Sequence, residues 1–214
     1  MRSYNEYCSI AKSLDVVGDR WTLLIVRELA RRGACRYTDL RDGLPGIATN
    51  LLAERLRQLE QSGVVVREEA PPPIATTLFR LTPRGEQLRP VLDGLARWGV
   101  PLMTEQKPED AVRSHWLATA LELMLTDRRP DGPPVTIELQ TGDQPIVIET
   151  RDGAVHARLG QADEADATLS GPPTPILGLL LGLVELEQAK ARGIDLEGDP
   201  AVLERFGAEP VVST

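Results

Sequence analysis

The fold is decided by the stretch from Arg36 to Leu81, which reads RYTDLRDGLPGIATNLLAERLRQLEQSGVVVREEAPPPIATTLFRL. A first short helix is predicted over residues 37–44, and Pro45 and Gly46 end it, because proline cannot continue a helix and glycine favours a turn. A second helix is predicted to open at Ile47. Its apolar residues share a stripe roughly 80° wide at about 100° per residue, and they are Ala48, Leu52, Leu56 and Leu59. The opposite face carries Asn50, Glu54, Arg57 and Gln61.

A hairpin is predicted after the second helix. Gly63 can end that helix, and the β-branched run from Val64 to Arg67 suits a strand. The partner strand is predicted over residues 77–81, and the tip at 71–73, three prolines without backbone donors, suits a wing better than a two-residue turn. Helix, turn, helix and hairpin in this order are typical of a winged helix-turn-helix. The second helix of such a fold fits the major groove of B-DNA.

The first half of the chain resembles the HxlR-type winged-helix transcription regulators. Seven blocks carry the resemblance in family order: YC (7–8), GDRWTLLI (18–25), RYTDL (36–40), LPGI (44–47), LAERLRQLE (52–60), LTPRG (81–85) and WG (98–99). The resemblance implies a homodimer on double-stranded promoter DNA, with dimer contacts around residues 10–17 and 91–103. The chain departs from the family pattern in two places. Ser9 replaces the proline that usually follows the Tyr-Cys pair, and the wing is acidic at Glu68 and Glu69.

Six residues are predicted to contact DNA. Those near the start of the second helix are expected to face bases, since asparagine has bidentate geometry for adenine, and the others are expected to hold phosphates or, for Arg57, a guanine edge. The base-facing pair is Thr49 and Asn50, and the remaining four are Arg36, Thr38, Arg55 and Arg57.

The two halves of the chain differ in net charge. The first 104 residues carry a net charge of +3, whereas the remaining 110 carry −11, which gives the whole chain −8. Attraction to phosphate is screened beyond about 8 Å at physiological salt, so the local sign matters more than the total. The basic half is the half with the DNA-binding pattern.

A second domain is predicted over residues 110–214, after a first domain over 1–104 and a polar boundary at 105–110. It opens with a helix over 112–125, and turn signals separate strands over 135–139, 145–150, 155–159 and 167–170. An apolar helix is predicted over 176–184, and a last helix over 201–206. The expected class is α+β, with an open antiparallel sheet covered by helices.

This second half resembles sterol carrier protein type 2 domains. The resemblance rests on the Asp152-Gly153 hairpin, the strand over 165–169, the leucine-rich helix and the IDLEGD motif at 194–199. It implies an α/β domain with an apolar pocket for a small hydrophobic ligand. The predicted lining is Trp116, Leu123, Ile176, Leu180 and Leu183. The other interpretation is that these residues fill an ordinary core, which apolar side chains at helical spacing more often do.

Other classes of function find little support in the sequence. No segment reaches the roughly 18 apolar residues of a membrane span, and the N-terminus lacks the apolar core of a signal peptide, so a cytoplasmic protein without membrane contact is expected. His115 and His156 have no cysteine or carboxylate at a metal-binding spacing, and catalytic motifs are not found. We therefore expect no metal, no cofactor and no enzymatic activity.

Cys8 is a redox candidate. Some relatives use the thiol of the Tyr-Cys pair to sense oxidants through an intersubunit disulfide, and a helix start or Lys12 nearby can lower a thiol pKa. In a cytosolic protein, however, Cys8 and Cys35 are more often buried or idle.

Two alternatives to a ligand-responsive DNA-binding regulator remain open at the level of sequence. The winged helix could bind a protein, with the acidic half providing solubility, and such a protein would show no salt-dependent DNA binding. Alternatively, the chain could carry hydrophobic ligands while its N-terminal domain only dimerises it. Ligand binding would then leave DNA affinity unchanged.

Overall fold

A computed structural model describes residues 3–70, 76–103, 107 and 109–208. The chain divides into two compact units, Met1–Leu95 and Ala96–Thr214. The predicted wing tip at 71–73 lies outside the described residues, as do residues 105, 106 and 108 of the predicted boundary. The predicted domain limits, 1–104 and 110–214, stay a prediction.

The first unit is a winged helix-turn-helix, as the order of patterns predicts. Its three strands form an antiparallel sheet in the order β1-β3-β2. The elements in chain order, including the helix that runs past Leu95, are α1 (Ser9–Val17), α2 (Thr22–Arg32), β1 (Cys35–Arg36), α3 (Tyr37–Asp42), α4 (Thr49–Gln61), β2 (Val65–Glu69), β3 (Thr77–Leu81), α5 (Pro83–Glu86) and α6 (Arg89–Gly99).

The core of the first unit forms where the apolar stripe of α4 meets α2 and the small sheet. Leu52, Leu56 and Leu59 are buried, and so are Ile25 and Leu29 of α2. Burying a leucine or isoleucine side chain contributes roughly 1.5–3 kcal/mol relative to leaving it in water. This stripe therefore fixes which side of α4 faces inward.

Helix α4 begins two residues later than predicted. Ala48 is its N-cap, with an extended backbone at φ −70° and ψ 139°, and it is exposed rather than part of the buried stripe. The turn is longer because Gly46 takes a positive φ of 87° and Ile47 is buried before the helix starts.

The segment that follows the hairpin forms two helices and a 3₁₀ turn. Helix α5 ends at Glu86, α6 starts at Arg89, and Val100–Leu102 forms the 3₁₀ turn. Pro90 explains the break, since proline has no N–H for an internal helical bond and fits the first turn of a new helix.

The second unit is an α/β arrangement of helices and a five-stranded sheet, with a smaller two-stranded sheet. Its elements are α7 (Ser114–Met124), β4 (Leu125–Asp127), β5 (Thr136–Gln140), β6 (Ile146–Arg151), β7 (Ala154–Leu159), β8 (Ala167–Ser170), α8 (Pro173–Leu180), α9 (Leu186–Lys190), β9 (Asp195–Gly198), a 3₁₀ helix (Pro200–Arg205) and β10 (Phe206–Ala208).

The larger sheet is mixed rather than wholly antiparallel. Its order is β7-β6-β5-β8-β9, and β5 pairs with β8 in parallel, while the other three pairings are antiparallel. Strand β9, within the IDLEGD motif, was not predicted as a strand, and it forms one edge of the sheet. Residues 141–166, which include β6 and β7, separate β5 from β8 along the chain and supply the long crossover that a parallel pair needs.

Two predicted helices of the second unit differ from the structure. Helix α8 ends at Leu180, since Gly182 adopts a positive φ of 69°, a conformation common just past a helix end. Leu183 beyond it is 72% exposed. The predicted last helix is a 3₁₀ helix that ends at Arg205, and Phe206 begins strand β10, which pairs with β4.

A buried ion pair joins the end of the 3₁₀ helix, just before β10, to the end of β4. Arg205 and Asp127 are both almost fully buried, and the guanidinium donates to both carboxylate oxygens. Arg205 Nη1 also donates to the carbonyl of Pro133 at 2.9 Å. The hydrogen bond from Arg205 holds the pKa of the Asp127 carboxyl below its usual value. Each charge thus has the partners that a buried charge requires.

Candidate nucleic-acid interface

The turn between α3 and α4 is anchored on both sides. Leu44 and Ile47 are buried in the core of the first unit. The phenol of Tyr37 donates a hydrogen bond of 2.6 Å to the backbone carbonyl of Thr49. The first residue of α3 is therefore tied to the first residue of α4.

The predicted polar face of α4 is exposed. Asn50, Glu54, Arg57 and Gln61 all lie on the solvent side, opposite the buried leucines. Thr49 and Asn50 stand at the N-terminal end of this face, where a helix in a DNA groove contacts base edges.

Arg36 and Thr38 lie at the start of α3, and both are exposed. The N–H of Arg36 donates to Asp39 Oδ2 at 2.8 Å, which caps the helix and leaves the Arg36 side chain at the surface. Because both residues adjoin Tyr37, the bond from Tyr37 to Thr49 brings them close to the start of α4. The structure thus brings together four predicted contacts: Arg36, Thr38, Thr49 and Asn50.

The two predicted arginines of α4 differ in their surroundings. Arg57 is exposed and has no ion-pair or hydrogen-bond partner within the described ranges. The Arg55 side chain is only 18% exposed, and its Nη1 lies 2.5 Å from Asp19 Oδ2 and 2.5 Å from Gln58 Oε1. A phosphate contact by Arg55 would require this pairing to break. The predicted role of Arg55 therefore has a structural competitor.

Asp19 and Tyr37 were not among the predicted site residues. Asp19 lies between α1 and α2, 36 positions before its partner, so no local spacing connects the two. The sequence does indicate that Arg55 lies close to the protein interior, since its position along α4 falls about 20° outside the apolar stripe at 100° per residue. Arg57 falls on the opposite side.

Cys8 precedes α1 and is exposed, whereas Cys35 is buried. The backbone N–H groups of Ala11 and Ile10 lower the pKa of the Cys8 thiol, and burial raises the pKa of Cys35 to about 11. Cys8 is thus the more reactive thiol at neutral pH. The redox role of Cys8 stays a prediction. The absence of a disulfide-linked dimer band on a non-reducing gel after mild oxidation would contradict it.

The residues predicted to line a ligand pocket do not form one group. Ile176 and Leu180 are buried in the core of the second unit, Trp116 and Leu123 are half-buried, and Leu183 is exposed. A nearby cleft of about 340 Å³ lies against the starts of α7 and α8, and its lining includes Val112, Leu117 and Leu177. That lining contains none of the five predicted residues.

Two further findings apply to the described part of the chain. None of its helices combines the length and the apolar character that crossing a membrane requires. It also contains no group of three or more histidine, cysteine or acidic side chains placed to hold a metal ion.

We predict that Arg55 and Asp19 act as a structural pair. Arg55→Gln and Asp19→Asn should each lower the free energy of unfolding by about 1 kcal/mol, the usual scale for a partly exposed charged hydrogen bond. The double variant should lose less than the sum of the two, since both changes break the same contact. Urea unfolding followed by circular dichroism measures these values. Arg57→Gln on the same helix is the control, and equal effects of Arg55→Gln and Arg57→Gln with full additivity would contradict the pairing.

Comparison with known proteins matches the N-terminal part of the chain. The family described as HxlR-like helix-turn-helix matches residues 16–107. An uncharacterized HTH-type transcriptional regulator of Synechocystis sp. is 34% identical over 102 residues, which cover 48% of this chain and 75% of that protein. YvaP of Bacillus subtilis is 34% identical over 87 residues, 41% of this chain and 80% of its own. YtfH of Escherichia coli K12 is 36% identical over 95 residues, 44% and 75% of the two chains. Both are also described as uncharacterized HTH-type transcriptional regulators. The chain belongs to the HxlR-like helix-turn-helix family of DNA-binding transcription regulators.

Proposed function

We propose that this regulator binds double-stranded promoter DNA as a homodimer and places the N-terminal end of α4 from each copy in a major groove. The observation that carries the proposal is the exposed face of α4, which begins with Thr49 and Asn50 while the opposite face is buried. The width of the major groove admits a helix, and base edges there distinguish all four base pairs.

The proposed roles follow the chemistry of each side chain. Asn50 would pair with an adenine edge through its side-chain amide, and Thr49 lies beside it. Arg57, one turn or more along the same exposed face, would hold a guanine edge or a phosphate. Arg36 and Thr38, at the start of α3, would hold the phosphate backbone and so set the register of α4.

We predict that base and phosphate contacts respond differently to replacement. Asn50→Ala should relax sequence preference at one position and cost roughly 1–3 kcal/mol on the preferred DNA. Arg36→Ala should weaken binding to all sequences alike and reduce the salt slope by about one. The measurement is the affinity for the intergenic DNA beside the gene, and for scrambled DNA of equal length, at several salt concentrations.

Gln61→Ala, at the far end of the same face of α4, is the matched control and should change little. If Asn50→Ala alters neither affinity nor sequence preference, the assignment of the base-reading position is wrong. If the wild type shows no salt-dependent binding to either DNA, the protein-interaction alternative gains support.

The homodimer is proposed from two apolar helix faces that the first unit leaves in solvent. In α1, Ile10 and Leu14 are exposed, and Tyr7 before it is fully exposed. In α6, Val91 and Leu95 are exposed, and no residue of this helix is buried. A helix with an apolar stripe normally buries that stripe. A second copy of the chain, related by two-fold symmetry, would cover both faces.

We predict that Leu95→Glu shifts the protein toward the monomer. A carboxylate at the centre of an apolar seam would have to lose its hydration without gaining a partner. Sedimentation at several protein concentrations measures the change. Leu183→Glu, at an exposed leucine of the second unit, controls for the added charge. An unchanged dimer in Leu95→Glu would contradict this seam.

The second unit is proposed to take a small hydrophobic ligand that alters DNA affinity. The resemblance to sterol carrier domains and the cleft beside Val112, Leu117 and Leu177 support this proposal. Its volume lies near the lower end of the range for small-molecule pockets, about 300–1,000 Å³.

We predict reciprocity between the two sites. A fluorescent fatty acid that binds the protein and weakens its DNA binding must itself bind more weakly, by the same factor, when DNA is present. Fluorescence titrations of the full chain with and without promoter DNA measure both factors. Binding of the probe without any change in DNA affinity would favour the carrier alternative.

A further inference from the structure

The described strands of the wing carry two arginines and two glutamates. Arg67, Glu68 and Glu69 lie on β2, and Arg80 lies on β3. All four side chains are exposed, so each is able to reach a ligand outside the protein. The net charge of these two strands is zero.

Arg80 is held by Glu68. In the antiparallel register Val66 lies opposite Arg80, and Glu68 is two residues further along the same face of the hairpin. The guanidinium of Arg80 donates a hydrogen bond to Glu68 Oε1. This bond lowers the pKa of the Glu68 carboxyl and raises the pKa of Arg80, so the pair stays charged at neutral pH.

Arg67 has an acidic neighbour on the other face of the hairpin. Arg67 Nη2 lies 3.9 Å from Glu69 Oε1, two residues along the same strand. Glu69 is itself fixed, because Thr77 lies directly opposite and its hydroxyl donates to Glu69 Oε1 at 2.8 Å. Each face of the hairpin therefore pairs one cation with one anion.

These pairs contribute little to folding but much to the charge of the surface. Exposed ion pairs add little to stability, because water and salt screen the attraction between the charges. DNA affinity, in contrast, depends on the number of phosphates that cations neutralise. A glutamate beside each arginine holds its guanidinium and offsets its charge, so that the arginine is not available to neutralise a phosphate. Arg57 on α4, which lacks such a partner among the described residues, remains available.

We propose that Glu68 and Glu69 limit the DNA affinity of this regulator by holding Arg80 and Arg67 away from the phosphate backbone. Binding then depends mainly on α3 and α4, and the wing adds little sequence-independent attraction. Competing genomic DNA, which is bound almost entirely through phosphates, retains less of the protein as a result. The proposal rests on the proposed function, since it assumes that the wing lies beside DNA when α4 is in the groove.

The test measures DNA affinity of the full chain with Glu68→Gln, with Glu69→Gln and with both changes. Glutamine keeps the shape of the side chain and removes its charge. The probes are the intergenic DNA beside the gene and scrambled DNA of equal length, at several salt concentrations. Each freed arginine should make the salt slope more negative by about 0.9 and tighten binding to both DNAs roughly three- to fivefold.

Two further variants identify the source of the gain. Glu68→Gln combined with Arg80→Gln should return affinity to the wild-type value, because the freed arginine is then absent. Arg80→Gln alone should change the DNA affinity less than twofold, which corresponds to less than about 0.4 kcal/mol. Glu86→Gln is the matched control, since Glu86 pairs with Arg89 outside the wing at a similar exposure and loses the same charge.

The outcomes separate this proposal from the proposed function. If the wild type binds its intergenic DNA and the glutamine variants bind no tighter than Glu86→Gln, the wing proposal is wrong and the function stands. If DNA binding stays tighter than in the wild type when Glu68→Gln is combined with Arg80→Gln, the wing proposal is also wrong. Loss of repulsion between Glu68 and phosphate would then explain the tighter binding. If the variant with both Glu68→Gln and Glu69→Gln binds the two DNAs equally and the wild type binds neither, the wing proposal holds and promoter recognition fails.

Discussion

The surface proposed to read DNA depends on the burial of one stripe of α4. Leu52, Leu56 and Leu59 pack against Ile25 and Leu29 of α2, and water is excluded from all five. Since a helix has only one buried stripe, this packing decides which polar residues remain outside. A change on the inner face of α4 would rotate or loosen the outer face, so fold stability and the proposed base recognition depend on the same contacts.

Local patterns were sufficient to predict α4 and the hairpin, because the apolar period and the β-branched run are properties of neighbouring residues. They were insufficient where the partner is distant in sequence. Strand β1 has only two residues and exists because Cys35 and Arg36 pair with β3. Arg55 of α4 pairs with Asp19, which lies between α1 and α2. In the sequence, only the position of Arg55 beside the apolar stripe indicates that its side chain is partly buried. In the second unit, β9 is polar on most positions and becomes a strand through its pairing with β8.

Charge is distributed in this chain at two length scales. The acidic second half keeps a large negative charge away from the basic half along the sequence. Within the first unit, glutamates sit beside the arginines of the wing, and aspartates sit beside Arg41 and Arg55. Within the described part of the first unit, four arginines have no ion pair: Arg20, Arg36, Arg57 and Arg84. Two of them, Arg36 and Arg57, lie at the start of α3 and on the outer face of α4. Recognition that uses few phosphate contacts relies more on the fit of side chains to base edges.

The buried pair of Arg205 and Asp127 makes the end of the described chain part of the core of the second unit. Proteolysis before Arg205 would remove β10 and leave the Asp127 carboxylate buried without its cation. An uncompensated buried charge costs about 3–5 kcal/mol, a large fraction of the stability of a domain. A second unit clipped at this point would therefore lose much of its stability together with β10, so the C-terminal end of the described chain is a structural part of the second unit and not a dispensable tail.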